Sequence, residues 1–228
     1  MDLEEVLRTT FACREFTDEP VTDKTLYRIL ELARFAPSGG NRQGAHVIVV
    51  RDQEVRQKLG EMCNSTLRIY GAQVDAGENP FNSVIPSKVD FVEAVKTPDE
   101  RFEMFDRWGD LPVVLVVSID LETVASMDKE LDRVGVVTGG SVYPLVWNML
   151  LAARSEGLAG VLTTALVPEE AAARELLGLP ETHAIAAVIP LGVPVKQLTK
   201  LSRREVEEFT TVDQFDGPKL MGRGQSSD

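Results

Sequence analysis

An arginine stands among apolar residues close to the N-terminus, in the stretch FACREFTDEPV at residues 11–21. Arg14 directly follows Cys13, where the chain leaves a short amphipathic run that predicts a helix. An unpaired guanidinium beside a buried surface is costly, so Arg14 is expected to have an anionic partner. That partner is either a carboxylate of this chain or an anionic ligand, and the remaining motifs favour the ligand.

Two other stretches are candidate ligand contacts, although their residue types alone do not require a ligand. In PSGGN at residues 37–41, glycines allow close approach of the backbone, and Ser38 and Asn41 offer hydrogen bonds. The same residues suit an ordinary turn between a helix and a strand, and by themselves they favour that interpretation. In GVLTT at residues 160–164, the threonines by themselves indicate only a strand.

The sequence lacks the common catalytic motifs. No G-x-G-x-x-G follows a strand pattern, no Walker A loop occurs, and GGSVY fails as a nucleophile elbow because Tyr143 replaces the second glycine. His46 and His183, with the distant Cys13 and Cys63, form no metal-ligand spacing. If the protein is an enzyme, a bound cofactor is expected to carry the chemistry, with no catalytic side chain and no metal.

The composition predicts a soluble protein in a reducing compartment. Two cysteines allow at most one disulfide, and the acidic first ten residues resemble neither a secretory signal nor a transit peptide. No apolar run is long enough for a transmembrane helix. The net charge of −12 argues against general nucleic-acid binding. We therefore expect a cytoplasmic protein that binds neither nucleic acid nor a membrane.

The apolar periodicity predicts a single domain of mixed helices and strands over residues 1–228. Helices are expected at 22–35, in the fifties and sixties, and from Pro168 to Gly178. A helix starting near residue 142 is apolar on nearly all sides, which is typical of a protein centre or a subunit interface. Pro144 suits its first turn and Gly157 its C-terminal cap. Continuous apolar runs predict buried strands at 45–50, 111–120, 160–166 and 183–195.

Residues 65–110 break this pattern, with Gly and Pro punctuation, short helices and scattered aromatics. A segment of this length is either a lid over a site or a surface insertion without chemistry. The tail from about residue 198 is predicted to be a polar arm with the basic cluster Lys200, Arg203 and Arg204. Disorder is expected at residues 222–228.

Five stretches of the sequence recur together, in this order, in one known family. They are TTFACREFTDEPV, ARFAPSGGNRQGAHVIVV, GGSVYPLVWNMLLAARSEGLAGVLTT, LGLPETHAIAAVIPLGVP and KLSRREVEEF. With them the chain resembles the nitroreductase family of FMN-dependent oxidoreductases, except over roughly residues 65–110. The resemblance implies an α+β fold, a three-layer α-β-α sandwich around a mostly antiparallel sheet. It also implies an intertwined homodimer with two FMN molecules at the subunit interface.

The resemblance further implies which residues hold the FMN phosphate. Arg14 matches the basic residue of the family's N-terminal motif, and Arg203 matches its C-terminal phosphate arginine, with Lys200 nearby. The chain departs from the motif at Thr10, Phe11 and Ala12, where the family has a further arginine and a serine. Either Arg8 or the C-terminal cluster is expected to compensate.

The flavin ring has its own implied contacts. Pro37, Ser38, Gly39 and Asn41 match the loop that lies against the ring from the second subunit. Leu162, Thr163 and Thr164 match the segment near flavin N5, where a backbone N–H can stabilise developing charge. The 65–110 segment is expected to set the choice of acceptor. Its aromatic side chains could stack on a flat acceptor, although core packing is expected for most of them: Tyr70, Phe81, Phe91, Phe102, Phe105 and Trp108. The acceptor contacts predicted among these are Tyr70, Phe105 and Trp108.

The implied function is a ping-pong oxidoreductase in which NADH or NADPH delivers a hydride to flavin N5 and leaves. A nitroaromatic, a quinone or a related planar compound then takes the electrons at the same face. Three alternatives stay open. They are a flavin store or redox sensor without useful turnover, a dehalogenase or flavin-degrading relative on the same fold, and an interaction module that has lost flavin.

Overall fold

A single antiparallel sheet of four strands forms the centre of the protein, which the computed structural model describes over residues 1–222. The predicted disorder of residues 223–228 lies outside these described residues. The strands are β1 (Ala45–Val50), β2 (Val113–Asp120), β3 (Ala159–Gly160) and β4 (His183–Gly192). Their order in the sheet is β1-β2-β4-β3, so the last strand in the sequence, β4, lies in the middle of the sheet.

Both faces of the sheet are buried at its central strands, β2 and β4. At the edge formed by β1 only Val50 is buried, so the burial predicted for residues 45–50 is wrong over most of that strand. Successive residues of a strand point to opposite faces, and in β2 Leu115 and Val117 enter one core cluster while Val114 and Val116 enter a second. Each of these side chains is at most 1% exposed, which explains why β2 reads as a continuous apolar run. The predicted three-layer α-β-α sandwich with a mostly antiparallel sheet is confirmed.

Residues 1–222 form six α-helices, and four of them pack on the two faces of the sheet. The helices are α1 (Leu3–Thr9), α2 (Asp23–Ala33), α3 (Gln53–Asp75), α4 (Phe91–Lys96), α5 (Tyr143–Ser155) and α6 (Glu170–Leu177). Helices α2 and α5 contribute to the first core cluster, and α3 and α6 contribute to the second. None of the helices described between residues 1 and 222 is long and apolar enough to cross a membrane.

Helix ends lie where the sequence places them. Pro144 occupies the first turn of α5, where its missing N–H costs no hydrogen bond. Gly157 and Gly178 follow α5 and α6 with φ of +81° and +66°, a left-handed conformation that closes a helix and favours glycine. On α5, Val146 and Ala153 are fully buried, whereas Trp147 is 43% exposed. One side of this apolar helix therefore stays uncovered in the single chain.

The strand predicted at residues 160–166 is wrong beyond its start, because β3 ends at Gly160. The next antiparallel pair would join Val161 to Pro190, and proline has no N–H to donate to the ladder. Thr163 alone returns to the sheet, through a bridge to Val188. A Cβ on Gly160 would lie 2.7 Å from Pro190 O, so glycine permits the close approach of β3 to β4.

The segment expected to break the pattern is partly regular. Helix α3 continues to Asp75, and a 3₁₀ helix, Glu100–Asp110, packs along it. A Cβ on Gly60 of α3 would lie 2.1 Å from Phe105 O, so this contact depends on glycine. The later part of the 65–110 segment is thus bound to the core, and only residues 76–98 extend from it as turns and the short helix α4.

Candidate active site

The N-terminal motif lies between β3 and the start of the C-terminal arm. Ala12 forms a parallel bridge with Gly160, and Cys13 N donates to Gly160 O at 3.0 Å. On the other side, Thr17 N donates to Val193 O at 2.9 Å, and Val195 N donates to Glu15 O at 3.1 Å. The motif therefore acts as an extra strand that joins three distant parts of the sequence.

Arg14 is exposed, which corrects the premise that its charge lies against a buried surface. Its guanidinium has one weak hydrogen bond, from Nη1 to Ala12 O at 3.5 Å. Within residues 1–222 it forms no ion pair with a carboxylate. An exposed guanidinium is hydrated, so Arg14 can bind an anionic partner but does not need one in the single chain.

The cleft beside Arg14 is mixed in charge. It has a volume of about 200 Å³ and contains a second guanidinium, that of Arg107. Three carboxylates, those of Glu15, Asp18 and Asp110, also line it. An anion in this cleft would need further cations from elsewhere in the protein.

The C-terminal arm begins close to the motif. Gln197 Nε2 donates to Thr9 O at 3.0 Å, which fixes the arm against the end of α1 three residues before Lys200. Lys200 and Arg203 are exposed, and Arg203 donates only to the neighbouring Ser202 O at 2.7 Å within the described chain. Arg8, the other expected compensating residue, is paired with Glu4 of its own helix at 2.8 Å instead.

The loop at residues 37–41 is a single 3₁₀ turn between α2 and β1. Gly40 and Asn41 have φ of +62° and +54°, so two adjacent residues adopt the left-handed conformation. Ser38 Oγ accepts a hydrogen bond from Gln43 N at 3.0 Å. Pro37, Gly39 and Asn41 are exposed, so the loop offers its backbone to a ligand or to another chain.

A loop at residues 121–141 supports the 37–41 turn, through hydrogen bonds from Gly39 N to Ser141 Oγ at 3.1 Å and from Arg42 Nη1 to Thr123 O at 3.3 Å. Asp128 is 3% exposed and accepts hydrogen bonds from Val136 N, Arg133 Nη1 and Val137 N at 2.7, 2.9 and 3.3 Å. These bonds, that of the Val136 N–H above all, lower the pKa of Asp128. An aspartate before a glycine-containing loop is a weak turn signal, but which N–H groups it reaches depends on the folded loop.

A cavity of about 480 Å³ lies at the β3 edge of the sheet. Leu162, Thr163 and Thr164 form one wall, and Tyr70 of α3 lies across from them. The hydroxyl of Thr66, also in the lining, is buried without a hydrogen-bond partner in the described part of the chain. A buried hydroxyl in this state is an available contact for a polar ligand atom.

Phe105 and Trp108 do not reach this cavity. They are 5% and 1% exposed and stack on each other at 5.1 Å inside the second core cluster. We correct the prediction that they contact an acceptor, because their packing on α3 removes both from the surface. Tyr70 is 41% exposed, lines the cavity and meets Phe102 edge-on at 6.2 Å, so of the three only Tyr70 is accessible for the predicted contact.

The remaining reactive side chains are structural. Cys13 and Cys63 are buried free thiols, and burial raises the pKa of both, which keeps them protonated. His183 Nδ1 is 3.0 Å from Ser118 Oγ, a residue that is 1% exposed and out of reach of a substrate. Over residues 1–222, no group of three or more His, Cys, Asp and Glu side chains could hold a metal ion.

The two predicted ring-binding stretches lie far apart within one chain. Ala45, just after the 37–41 turn, pairs with Ile119 of β2, which in turn pairs with Ala184 of β4. At the other edge of the sheet, Thr163 pairs with Val188, four residues further along β4. With strands about 4.8 Å apart and about 3.3 Å per residue, the separation is roughly 20 Å. One chain therefore does not bring both stretches to one ring.

The sheet, its two helical layers and this cavity define a three-layer α+β sandwich with a ligand-sized site at its edge. A model of the Nitroreductase family matches residues 7–193, and the chain belongs to that family. An NADH dehydrogenase from Thermus thermophilus is 28% identical over 81% of this chain and 82% of its own length. A nitrobenzene nitroreductase from Ectopseudomonas oleovorans is 24% identical, with 92% and 96% covered. The solved NADPH:FMN oxidoreductase from Vibrio harveyi, in complex with NAD⁺, shares the fold with a TM-score of 0.64, at 21% identity and with 93% and 77% covered.

Proposed function

We propose that this protein is an NAD(P)H-dependent oxidoreductase that carries FMN and reduces a small planar acceptor by a ping-pong mechanism. The observation that carries the proposal is the bridge between Ala12 and Gly160. It places the motif of Arg14 beside the strand that leads, within a few residues, to Leu162, Thr163 and Thr164. Two stretches predicted to contact opposite ends of one flavin are thereby neighbours.

The FMN phosphate is assigned to Arg14 together with Lys200 and Arg203. The mixed charge of the Arg14 cleft calls for further cations, and the arm that begins at Gln197 can supply them. Arginine suits this role because its planar fork donates two parallel hydrogen bonds to phosphate oxygens. Arg8 is the weaker candidate, since Glu4 already neutralises it.

The ring is assigned to the β3-edge cavity, with its wall of Leu162, Thr163 and Thr164. FMN bound there would accept a hydride from NAD(P)H and pass two electrons to the acceptor. The chain's own task is to hold the ring, exclude water and offer N–H and hydroxyl groups, including that of Thr66, to its polar edge.

A homodimer is part of this proposal. Strand geometry puts the 37–41 turn roughly 20 Å from Thr163 of the same chain. One flavin ring can therefore contact both segments only if the turn belongs to a second copy of the chain. Trp147 and Tyr143, 43% and 40% exposed on α5, offer an apolar surface for that copy. Pro37, Ser38, Gly39 and Asn41 would then close the ring from the partner.

The proposal is tested by an absorbance spectrum of the purified protein before and after addition of FMN and then NADPH or NADH, without oxygen. Flavin bands that bleach with either nicotinamide support it. Flavin bands that stay oxidised with both would favour a flavin store, a sensor or a flavin-degrading enzyme. A protein that takes up no FMN would contradict the proposal.

A further inference from the structure

The turn between α3 and α4, residues 76–90, places Phe81 in the wall of the β3-edge cavity. Phe81 is 45% exposed, and its backbone has φ of +52°. A bulky residue rarely adopts this left-handed conformation, because its Cβ crowds the following carbonyl. Contacts around the turn must therefore hold Phe81 in place.

Two polar side chains provide those contacts. The amide of Gln73, which is 2% exposed near the end of α3, accepts from Phe81 N at 3.1 Å and donates to Glu78 Oε2 at 3.3 Å. Glu78 also accepts from Ser87 Oγ at 2.6 Å and from Lys88 N at 2.7 Å. The Ser87 hydroxyl, followed by the Lys88 N–H, lowers the pKa of Glu78. The ionised carboxylate thus ties both ends of the turn to α3.

The cavity that Phe81 borders has an uncharged lining throughout the described chain. Its apolar walls include Pro80, Phe81 and Leu162, and its polar groups include the hydroxyls of Thr66 and Tyr70. A flat ring can stack against an aromatic wall of this kind. An anionic group entering the same space would lose part of its hydration without gaining a cation from the lining that this chain provides.

We propose that Phe81 is the aromatic wall through which this cavity selects flat, uncharged electron acceptors over anionic acceptors of the same shape. The inference rests on the proposed function, since it takes the acceptor to bind in the cavity beside Thr163, against the flavin ring that is assigned to the same cavity. Phe81 contacts the acceptor, and Gln73 and Glu78 are positioning residues that act through Phe81.

The test follows the reoxidation of photoreduced, FMN-loaded protein by nitrobenzene and by 4-nitrobenzoate, which differ by one carboxylate. Because illumination in the presence of EDTA, which is oxidised, supplies the electrons to the flavin, the readout does not depend on nicotinamide binding. We expect the wild-type protein to bind nitrobenzene about tenfold or more tightly than 4-nitrobenzoate. Phe81→Ala should weaken nitrobenzene binding about fivefold to tenfold. Phe81→Tyr, which keeps an aromatic side chain, should bind nitrobenzene as tightly as the wild-type protein does.

Glu78→Gln keeps the size of the side chain and removes its charge. It should weaken nitrobenzene binding in the same direction, while FMN affinity and the limiting reoxidation rate stay within about twofold. Val84→Ala is the matched control, because Val84 lies on the same turn, is 85% exposed and is not part of the cavity wall.

Two results would overturn this inference alone. One is a flavin-loaded Phe81→Ala protein that behaves like Val84→Ala, and the other is a wild-type protein that uses both acceptors equally well. A wild-type protein that takes up no FMN would instead overturn the proposed function, and this inference with it.

Discussion

Gly39 and Ser141 are joined by a hydrogen bond of 3.1 Å from Gly39 N to Ser141 Oγ, although 102 residues separate them. The bond links the 37–41 turn to the end of the 121–141 loop, immediately before α5. A Cβ on Gly39 would lie 3.3 Å from the same oxygen, so the two segments are in close contact. The turn proposed to meet a partner's flavin is therefore supported by a loop from another part of the same chain.

Ser141→Ala should weaken FMN binding about twofold to tenfold, which is the range expected for one hydrogen bond. The reason is that Gly39 N loses its acceptor and the turn loses its support. Fluorescence titration of FMN measures the affinity. The exposed Ser83→Ala serves as a control, and equal affinities in the two variants would show that the turn does not depend on Ser141.

Asp128→Asn should lower the Tm by a few degrees at neutral pH, because a carboxamide accepts the Val136 and Val137 N–H bonds less strongly than a carboxylate. The pKa of Asp128 is lowered in the folded state, so its contribution to stability is present above the unfolded pKa and is lost as pH falls through the folded one. The Tm difference should therefore shrink below about pH 4.

The neighbouring Asp132→Asn is the control for this experiment, since Asp132 is exposed. Thermal unfolding followed by circular dichroism at neutral and acid pH gives both Tm values. A difference that persists unchanged into acid would exclude the carboxylate's charge as the cause.

Arg14→Ala and Arg203→Ala should each weaken FMN binding about tenfold or more, because each removes a charge-assisted hydrogen bond to phosphate. The loss should be smaller for riboflavin, which lacks the phosphate. Arg8→Ala should leave the affinity unchanged, since Glu4 already pairs with that residue. Isothermal titration with both flavins measures these effects, and an equal loss for FMN and riboflavin would contradict the phosphate assignment.

Trp108→Phe should change the stability of the protein, whereas Tyr70→Ala should change its acceptor KM. Trp108 is 1% exposed in the core, so the smaller ring should cost about 1–3 kcal/mol of stability and leave the acceptor KM unchanged. Tyr70 borders the cavity and is 41% exposed, so its loss should raise the acceptor KM severalfold with little change in stability. Denaturant unfolding and steady-state kinetics separate the two, and a raised KM for Trp108→Phe would restore its predicted role.

Patterns that extend over a few neighbouring residues were readable from the sequence. Continuous apolar runs located β1, β2 and β4, but only β2 and β4 are buried as predicted, whereas His46 and Val49 of β1 are exposed. Pro144, Gly157 and Gly178 marked helix ends, because backbone conformation is set by local residue types. The order of the five motifs was sufficient to recognise the family, which the match over residues 7–193 confirms.

Contacts between distant segments were decided only by the tertiary structure. Pro190 of β4 ends β3 at Gly160, the packing of α3 buries Phe105 and Trp108, and the outward position of Arg14 leaves its charge to water. Each outcome depends on the register between strands or on which surfaces pack together. A short run of neighbouring residues determines neither of these. Local residue types determined most of the helices and strands of this protein, and the pairing of distant segments determined where its candidate site lies.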